Sequence, residues 1–180
     1  DLDDNPNTHD PKISVDSNGM LGFYNANTDK EYPDEQPHDS GNHGTHCAGI
    51  AAGTGGPSGT YSGVAPKANL VGVIALDGGS GDEQDLLRAV NWTITNKDRF
   101  SIDVMSLSLG GPVVIPGATN TGSSSISRAL DVAVEEGIVT VVAIGNGNLG
   151  LAAHPGSASY PGDSVKAITV GSVNDDHNRE

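Results

Sequence analysis

The chain has 180 residues and is strongly acidic, with 23 aspartates and glutamates against 9 lysines and arginines and a formal net charge of −14. This length allows one domain with a substantial core. The charge argues against binding to nucleic acid or to an anionic membrane, because both partners are themselves negative. The single cysteine, Cys47, excludes an internal disulfide framework, and no apolar run approaches the length of a transmembrane helix.

Much of the acid lies in residues 1–39 and 174–180, and three interpretations fit it. The simplest is a solvated surface that keeps the protein soluble. An Asp-rich, Lys-poor surface is also typical of adaptation to high salt. Carboxylates can also bind structural calcium, but no EF-hand spacing is present, so the number and place of calcium sites stay open. No cofactor is expected for the chemistry itself.

The first 42 residues are predicted to be rich in loops, because prolines interrupt them repeatedly, with a short strand over 20–24. A helix is expected from His43 to about Gly53, followed by a Gly/Ser/Thr loop over 53–61. A β-branched run over 69–76, bounded by turns, predicts a buried strand.

The rest of the chain alternates between helices and strands. The helices show apolar residues at helical spacing, and the strands are short, apolar and bounded by turns. The predicted elements are, in order, a helix over 85–94 capped by Ser80 or Asp82, a strand over 104–109, a helix over 123–136 that begins in a serine cap and ends at Gly137, and strands over 138–144 and 166–171.

This order predicts consecutive βαβ units and therefore an α/β fold, in which a mostly parallel sheet lies between helices in a three-layer αβα arrangement. Ligands of such folds bind outside the carboxyl ends of the strands. The predicted strands end near Asp77, Gly110 and Gly145, each in a glycine-rich loop. Because glycine lets another backbone approach closely, a substrate site is expected there.

Two histidines, His43 and His46, lie three residues apart at the start of the first predicted helix, on one face. In the first turn, His43 meets free backbone N–H groups and the positive end of the helix dipole. A neutral imidazole there can point into a cleft and act as a general base, although two structural histidines fit the same spacing. Cys47 is expected to be a small buried side chain. The alternative is a reactive thiol, and a cysteine protease would need its activating histidine from elsewhere in the fold.

Four segments carry a family resemblance. Residues 39–49, DSGNHGTHCAG, closely resemble the block around the catalytic histidine of subtilisin-like serine proteases, which often reads D-x-x-x-H-G-T-H-[VC]-A-G. Residues 141–147 resemble the family's V-x-A-A-G-N block, residues 105–112 resemble its N-[ML]-S-L-G segment, and residues 63–66 match its G-V-A-P connector. The chain is therefore identified as a member of the subtilases, with a subtilisin-like fold.

The resemblance implies a role for each matching residue. His43 would be the catalytic base, His46 a buried structural histidine, and Asn146 the donor to the oxyanion, an effect worth about 2.7–4 kcal/mol in a subtilisin. Taken alone, Asn146 also fits a turn after a strand. The family binds substrate as an added strand, and the implied binding residues are Gly79, Ser80 and Gly81 on one edge, Ser108, Leu109 and Gly110 on the other, and Ala143, Ile144 and Gly145 at the pocket for the residue before the scissile bond.

Two positions qualify the match. Ile144 stands where the family usually has alanine, so the depth of the pocket is left open. Tyr160 and Pro161 are expected to carry the cis proline that relatives hold near the pocket. The position of Asp39 carries an acidic residue in many relatives, and by the resemblance it is not that of the triad aspartate.

The family needs an aspartate and a serine besides the histidine, in the chain order Asp, His, Ser. Neither D-[ST]-G nor G-T-S-x-[AS]-x-P occurs here. The chain is therefore expected to be the middle of a catalytic domain, incomplete at both ends: a divergent lead-in over 1–42, an α/β core over 43–173, and an acidic tail over 174–180 that continues towards the serine segment. A module that has lost catalysis and serves for binding is the alternative.

By the same resemblance, the parent protein would be an extracellular, monomeric serine endopeptidase that acts on polypeptides. The 180-residue chain alone is expected to be inactive.

Overall fold

The structure, a computed structural model, describes residues 12–111, 122–146 and 159–173. The chain divides into two compact units, residues 1–102 and 103–180. Within the described residues, each unit contains a three-stranded sheet with parallel strand pairs, and helices connect the strands. This confirms the predicted α/β class. The acidic tail predicted over 174–180 lies outside the described residues.

The sheet of the first unit contains β1 (Phe23–Asn25), β2 (Lys30–Glu31) and β5 (Gly72–Ile74), in the strand order β2-β1-β5. Strand β1 runs antiparallel to β2 and parallel to β5. The strands are shorter than predicted: β5 covers three residues and is half-buried, and β1 begins only at Phe23 because Leu21 and Gly22 bond elsewhere.

The loop predicted over 53–61 is in fact a small ribbon. Strands β3 (Thr54–Gly55) and β4 (Tyr61–Ser62) pair antiparallel around a 3-10 turn. Gly55 and Gly59 adopt φ angles of 79° and 65°, which L side chains rarely do, so the chain can reverse within a few residues. Sequence reasoning recognised the glycines but not the pairing.

Three helices belong to the first unit: α1 His43–Ala52, α2 Glu83–Thr95 and α3 Lys97–Phe100. Helix α2 begins at a capping box, in which Asp82 accepts a hydrogen bond from Asp85 N at 2.9 Å and Asp85 accepts one from Asp82 N at 3.1 Å. Asp82 is thus the cap that the sequence allowed. The short, charged helix α3 was not predicted, because four residues carry no periodic signal.

Helix α2 packs its apolar face on the first sheet. Its Ala89 is buried with Tyr24 and Ala26, and the rings of Tyr24 and Trp92 stack with their centroids 5.0 Å apart. In the same unit, Nε of Arg99 donates a hydrogen bond to Oδ2 of Asp16 at 2.9 Å, which connects α3 to the segment before β1. Aromatic pairs such as Tyr24 and Trp92 add about 0.5–1.5 kcal/mol to the free energy of area burial, so this packing stabilises the unit.

The second unit is a βαβ unit followed by one more strand. Its elements are β6 Val104–Leu107, α4 Ser125–Glu135, β7 Val139–Ala143 and β8 Ile168–Val170, and the sheet order is β6-β7-β8, all parallel. Ser124 caps α4 by accepting from Ser127 N at 3.0 Å. Helix α4 lies on β7, with Ile126 and Leu130 fully buried. In the register, Leu107 is opposite Val142, so β6 and β7 end at the same edge.

Candidate active site

His43 is the first residue of α1 and its side chain is exposed. Its place in the first turn is the one that the sequence predicts for a general base. Sγ of Cys47 lies 4.0 Å from Nδ1 of His43, one turn along the same helix. Cys47 is half-buried, not fully buried as expected, because α1 packs only near its C-terminal end. This contact of the thiol is therefore with a histidine of the same helix.

His46 was expected to be a buried structural histidine, and this is wrong for the structure: its side chain is exposed. The buried residue of α1 is Ala52, at the other end of the helix. There the helix meets β4, and Val64 and Ala65 bond to its last carbonyls. The first turns of α1 have no comparable cover among the described residues.

The carboxylate of Asp39 lies against the first turn of α1. Its Oδ2 accepts a hydrogen bond from Thr45 N at 2.8 Å, and its Oδ1 accepts one from Gly41 N at 2.9 Å. The backbone N–H of Thr45, and then that of Gly41, lower the pKa of this carboxyl, because they stabilise its charged form. Asp39 is therefore a charged residue beside His43. Sequence reasoning named it only to exclude it from the triad.

Ser40 joins the start of α1 to the turn after β5. Its hydroxyl donates to Oδ1 of Asp77 at 3.2 Å and accepts from Gly78 N at 3.2 Å. The turn itself is closed by Ser80 N, which donates to the carbonyl of Asp77 at 3.0 Å. Gly79 has a φ of 84°, in the region that favours glycine. The predicted edge Gly79, Ser80 and Gly81 is exposed and held to the segment that precedes His43.

The other predicted residues follow β6 and β7 in the second unit. Ser108, Leu109 and Gly110 come directly after β6, and Ala143 is the last residue of β7. Because the two strands are parallel neighbours in register, these segments lie side by side. Ile144 and Asn146 are exposed at this edge, with 41% of Ile144 accessible.

The segment Ser159–Pro161 bridges these two strand ends. Ser159 N donates to the carbonyl of Ile144 at 2.9 Å, and Gly111 N donates to the carbonyl of Tyr160 at 2.9 Å. The Tyr160–Pro161 peptide bond is cis, as expected from the resemblance. A Cβ on Gly145 would come within 2.8 Å of Ser159 Cβ, so glycine is required there for the close approach.

The predicted site residues thus form two groups, one in each unit. In the first group, side chains hold an exposed imidazole and a glycine turn together. In the second group, two parallel strand ends carry the exposed Asn146 and the segment 108–110. Within the described residues, no cluster of three or more His, Cys, Asp or Glu could hold a metal ion, and no helix is long and apolar enough to cross a bilayer.

This arrangement is that of an α/β protein whose functional loops follow parallel strands. The family model described as the subtilase family matches residues 2–180, and the chain belongs to that family. The resemblance read from the four sequence blocks is confirmed.

Curated relatives give the same result. The chain is 41% identical over 149 residues to the serine protease AprX of Bacillus subtilis. The matched region covers 79% of this chain and 32% of that protein. It is 37% identical over 142 residues to subtilisin E of the same species, covering 78% of this chain and 33% of the relative. The chain therefore spans about a third of the length of these relatives.

Solved structures confirm the subtilisin-like fold. Sphericase superposes with a TM-score of 0.67 and 28% identity, over 87% of this chain and 48% of that chain. The S41 psychrophilic protease superposes with a TM-score of 0.66 and 29% identity, over 91% of this chain and 52% of that chain.

Proposed function

We propose that the protein to which this chain belongs is a serine endopeptidase of the subtilisin class, and that this chain supplies its catalytic base and one oxyanion donor. The observation that carries the proposal is the coincidence of two facts at His43. The residue occupies the histidine position of a block that resembles the family's catalytic block, and it begins a helix with its imidazole exposed.

The proposed chemistry is acyl transfer to water through an Asp-His-Ser triad. His43 takes the proton from the serine hydroxyl as the oxygen attacks the peptide carbonyl, and then gives that proton to the leaving amine. The negative charge that builds on the carbonyl oxygen receives a hydrogen bond from the side-chain amide of Asn146. In the second half of the reaction, His43 takes a proton from water and returns it to the serine.

The proposed substrate is a polypeptide. Its backbone would bind as an added strand, and the proposed binding residues are Gly79, Ser80 and Gly81 in the first unit and Ser108, Leu109 and Gly110 in the second. The exposed Ile144 side chain, with Ala143 and Gly145, would wall the pocket for the residue before the scissile bond. A branched side chain where relatives carry alanine favours smaller residues in that pocket.

The setting is proposed on the resemblance alone. The parent protein would be an extracellular monomer that needs no cofactor for the chemistry, with structural calcium at sites still to be found. A fluorescence or scattering titration with calcium on the whole protein, with a chelated control, tests the last point.

The test compares the whole protein with the 180-residue chain, using a fluorophosphonate probe that labels activated serines. We expect the whole protein to be labelled and the chain alone to remain unlabelled. In the coding sequence, D-[ST]-G should occur shortly before the first residue and G-T-S-x-[AS]-x-P after the last. Absence of both motifs, with no labelling, would overturn the proposal and favour a binding module.

A matched pair of variants in the whole protein adds residue-level resolution. His43→Ala should abolish labelling. His38→Ala removes another exposed histidine of the same unit and should leave labelling unchanged. Labelling that survives in His43→Ala would show that His43 is not the base.

A further inference from the structure

The start of α1 has no local side-chain cap. Its N-cap residue, Asn42, adopts a φ of 61° and makes no capping hydrogen bond with its side chain. An ordinary N-cap residue is extended, and its side chain accepts from the backbone N–H of the second or third helical residue. The free N–H groups of the first turn therefore need another acceptor.

Asp39 supplies that acceptor from three residues before the N-cap. Thr45 is the third residue of α1, and its N–H donates to Oδ2 of Asp39 at 2.8 Å. The other oxygen, Oδ1, accepts from Gly41 N at 2.9 Å. One carboxylate thus holds the backbone two residues before His43 and two residues after it.

Gly44 makes room for this carboxylate. A Cβ at that position would lie 3.3 Å from Oδ2 of Asp39, which is tighter than most contacts of a Cβ, and at an ordinary contact distance of 3.7 Å from Cγ. Because Gly44 directly follows His43, the carboxylate lies close against the turn that carries the imidazole. The same segment continues into Ser40, which is bonded to the Asp77 turn, so its position is fixed from two sides.

We propose that Asp39 is a positioning residue for His43: by fixing the backbone on both sides of the histidine, it sets the direction in which the imidazole points. The inference rests on the proposed function. Asp39 acts through the backbone and touches neither substrate nor the reacting atoms. The backbone N–H groups that lower the pKa of Asp39 stabilise its negative charge, and that charge strengthens both bonds and suits the positive end of the helix.

The test measures kcat and KM of the whole protein with a peptide substrate, normalised to active sites titrated with a fluorophosphonate. Titration removes unfolded molecules from the comparison. Asp39→Ala loses both bonds, and we expect kcat per active site to fall about ten- to a hundredfold, because a small displacement of a catalytic group has effects of this size. KM should stay within about twofold, since no substrate contact is lost.

Asp39→Asn has the same size and keeps one acceptor oxygen, so its kcat should lie between those of wild type and Asp39→Ala. Should Asp39→Ala fail to fold, this variant decides the question by itself. The control is Asp34→Asn, which removes an exposed carboxylate from the same segment and should leave kcat and KM unchanged.

The outcomes separate the two proposals. If the thermal midpoint falls in both Asp39 variants while kcat per titrated site is unchanged, Asp39 is only a helix cap and the positioning role is overturned. If Asp34→Asn loses as much kcat as Asp39→Asn, general charge and not the Asp39 geometry is responsible, which also overturns it. A wild-type protein without titratable sites would overturn the proposed function, and this inference with it.

Discussion

The two groups of candidate site residues, one in each unit, are held by different means. In the first unit, the start of α1 and the glycine turn are joined by the side chains of Asp39 and Ser40. In the second unit, the strand ends are joined by backbone hydrogen bonds through Ser159 and Tyr160 and by a glycine that admits them. Removing side-chain atoms should therefore disturb the first group of residues, whereas adding side-chain atoms should disturb the second group.

The functional groups follow the same division. His43 stands on a helix whose start depends on a distant carboxylate, so its orientation can be changed without changing the sheet. Asn146 follows a central strand whose backbone is fixed on both sides by β6 and β8. The proposed oxyanion donor thus follows a strand paired on both sides, whereas the proposed base begins a helix that a side chain from outside the helix holds.

After the loss of His43 itself, the largest effect is expected from Asn146→Ala in the whole protein. Loss of one oxyanion donor costs about 10²–10³ in kcat, as measured in a subtilisin, with little effect on KM because the interaction forms only in the transition state. Steady-state kinetics with a peptide substrate checks this. A loss in KM alone would mean that Asn146 binds substrate without stabilising the oxyanion.

The next effect is on stability in the second unit. Gly145 has a φ of 106°, and its Cβ in Gly145→Ala would meet Ser159 Cβ at 2.8 Å. We expect the free energy of unfolding to fall by about 2–4 kcal/mol from backbone strain and overpacking. Gly171→Ala is the control, since its Cβ would meet only Ile144 Cγ2 at 3.5 Å. Denaturant titration should separate the two; equal losses would contradict the role given to Gly145.

A smaller effect is expected from Ser40→Ala in the first unit. The variant releases the turn that carries Gly79–Gly81, so KM should rise about two- to fivefold, in line with the loss of two weak hydrogen bonds at the surface. The control, Ser17→Ala, removes an exposed hydroxyl from the same unit. An unchanged KM in Ser40→Ala would show that the turn keeps its conformation without the hydrogen bonds of Ser40.

The smallest expected effect is on the stability of the protein at low pH. Backbone N–H groups lower the pKa of three carboxyls by donating hydrogen bonds to them. The pairs are Met20 N to Asp16, Asp82 N to Asp85 and Thr45 N to Asp39. A lowered pKa adds stability that is complete above the ordinary value of 3.8 and is lost as the pH falls through the folded-state value. Unfolding followed from pH 6 to below 4 should therefore show decreasing stability, with a shallower fall in Asp16→Asn. An identical slope in both proteins would contradict this.

Sequence reasoning found the elements with strong local signals. The cap at Asp82, the serine cap of α4 and the apolar stripe of each long helix lie within a few residues of the structure they specify. The ribbon over 54–62 was missed because two-residue strands have no periodicity. The burial of His46 was wrong because it came from the family and not from the packing of α1 in this chain.

The sequence predicted which residue types form the site, but it did not predict the contacts that hold them in place. The blocks around His43 and Asn146 could be read from the sequence because chemistry restricts those residue types. The capping role of Asp39 could not, since a carboxylate three residues before an N-cap in the left-handed region follows no local rule. The closure by Ser159 and Tyr160 joins residues far apart in the chain, and only the fold brings them together.

The most direct test of the central claim is the value of kcat/KM for His43→Ala in the whole protein. If His43 is the base of a serine protease, kcat should fall about a millionfold, as it does when the triad histidine of subtilisin is removed, while KM changes little. An activity within about tenfold of wild type would contradict the claim that this chain supplies the catalytic base.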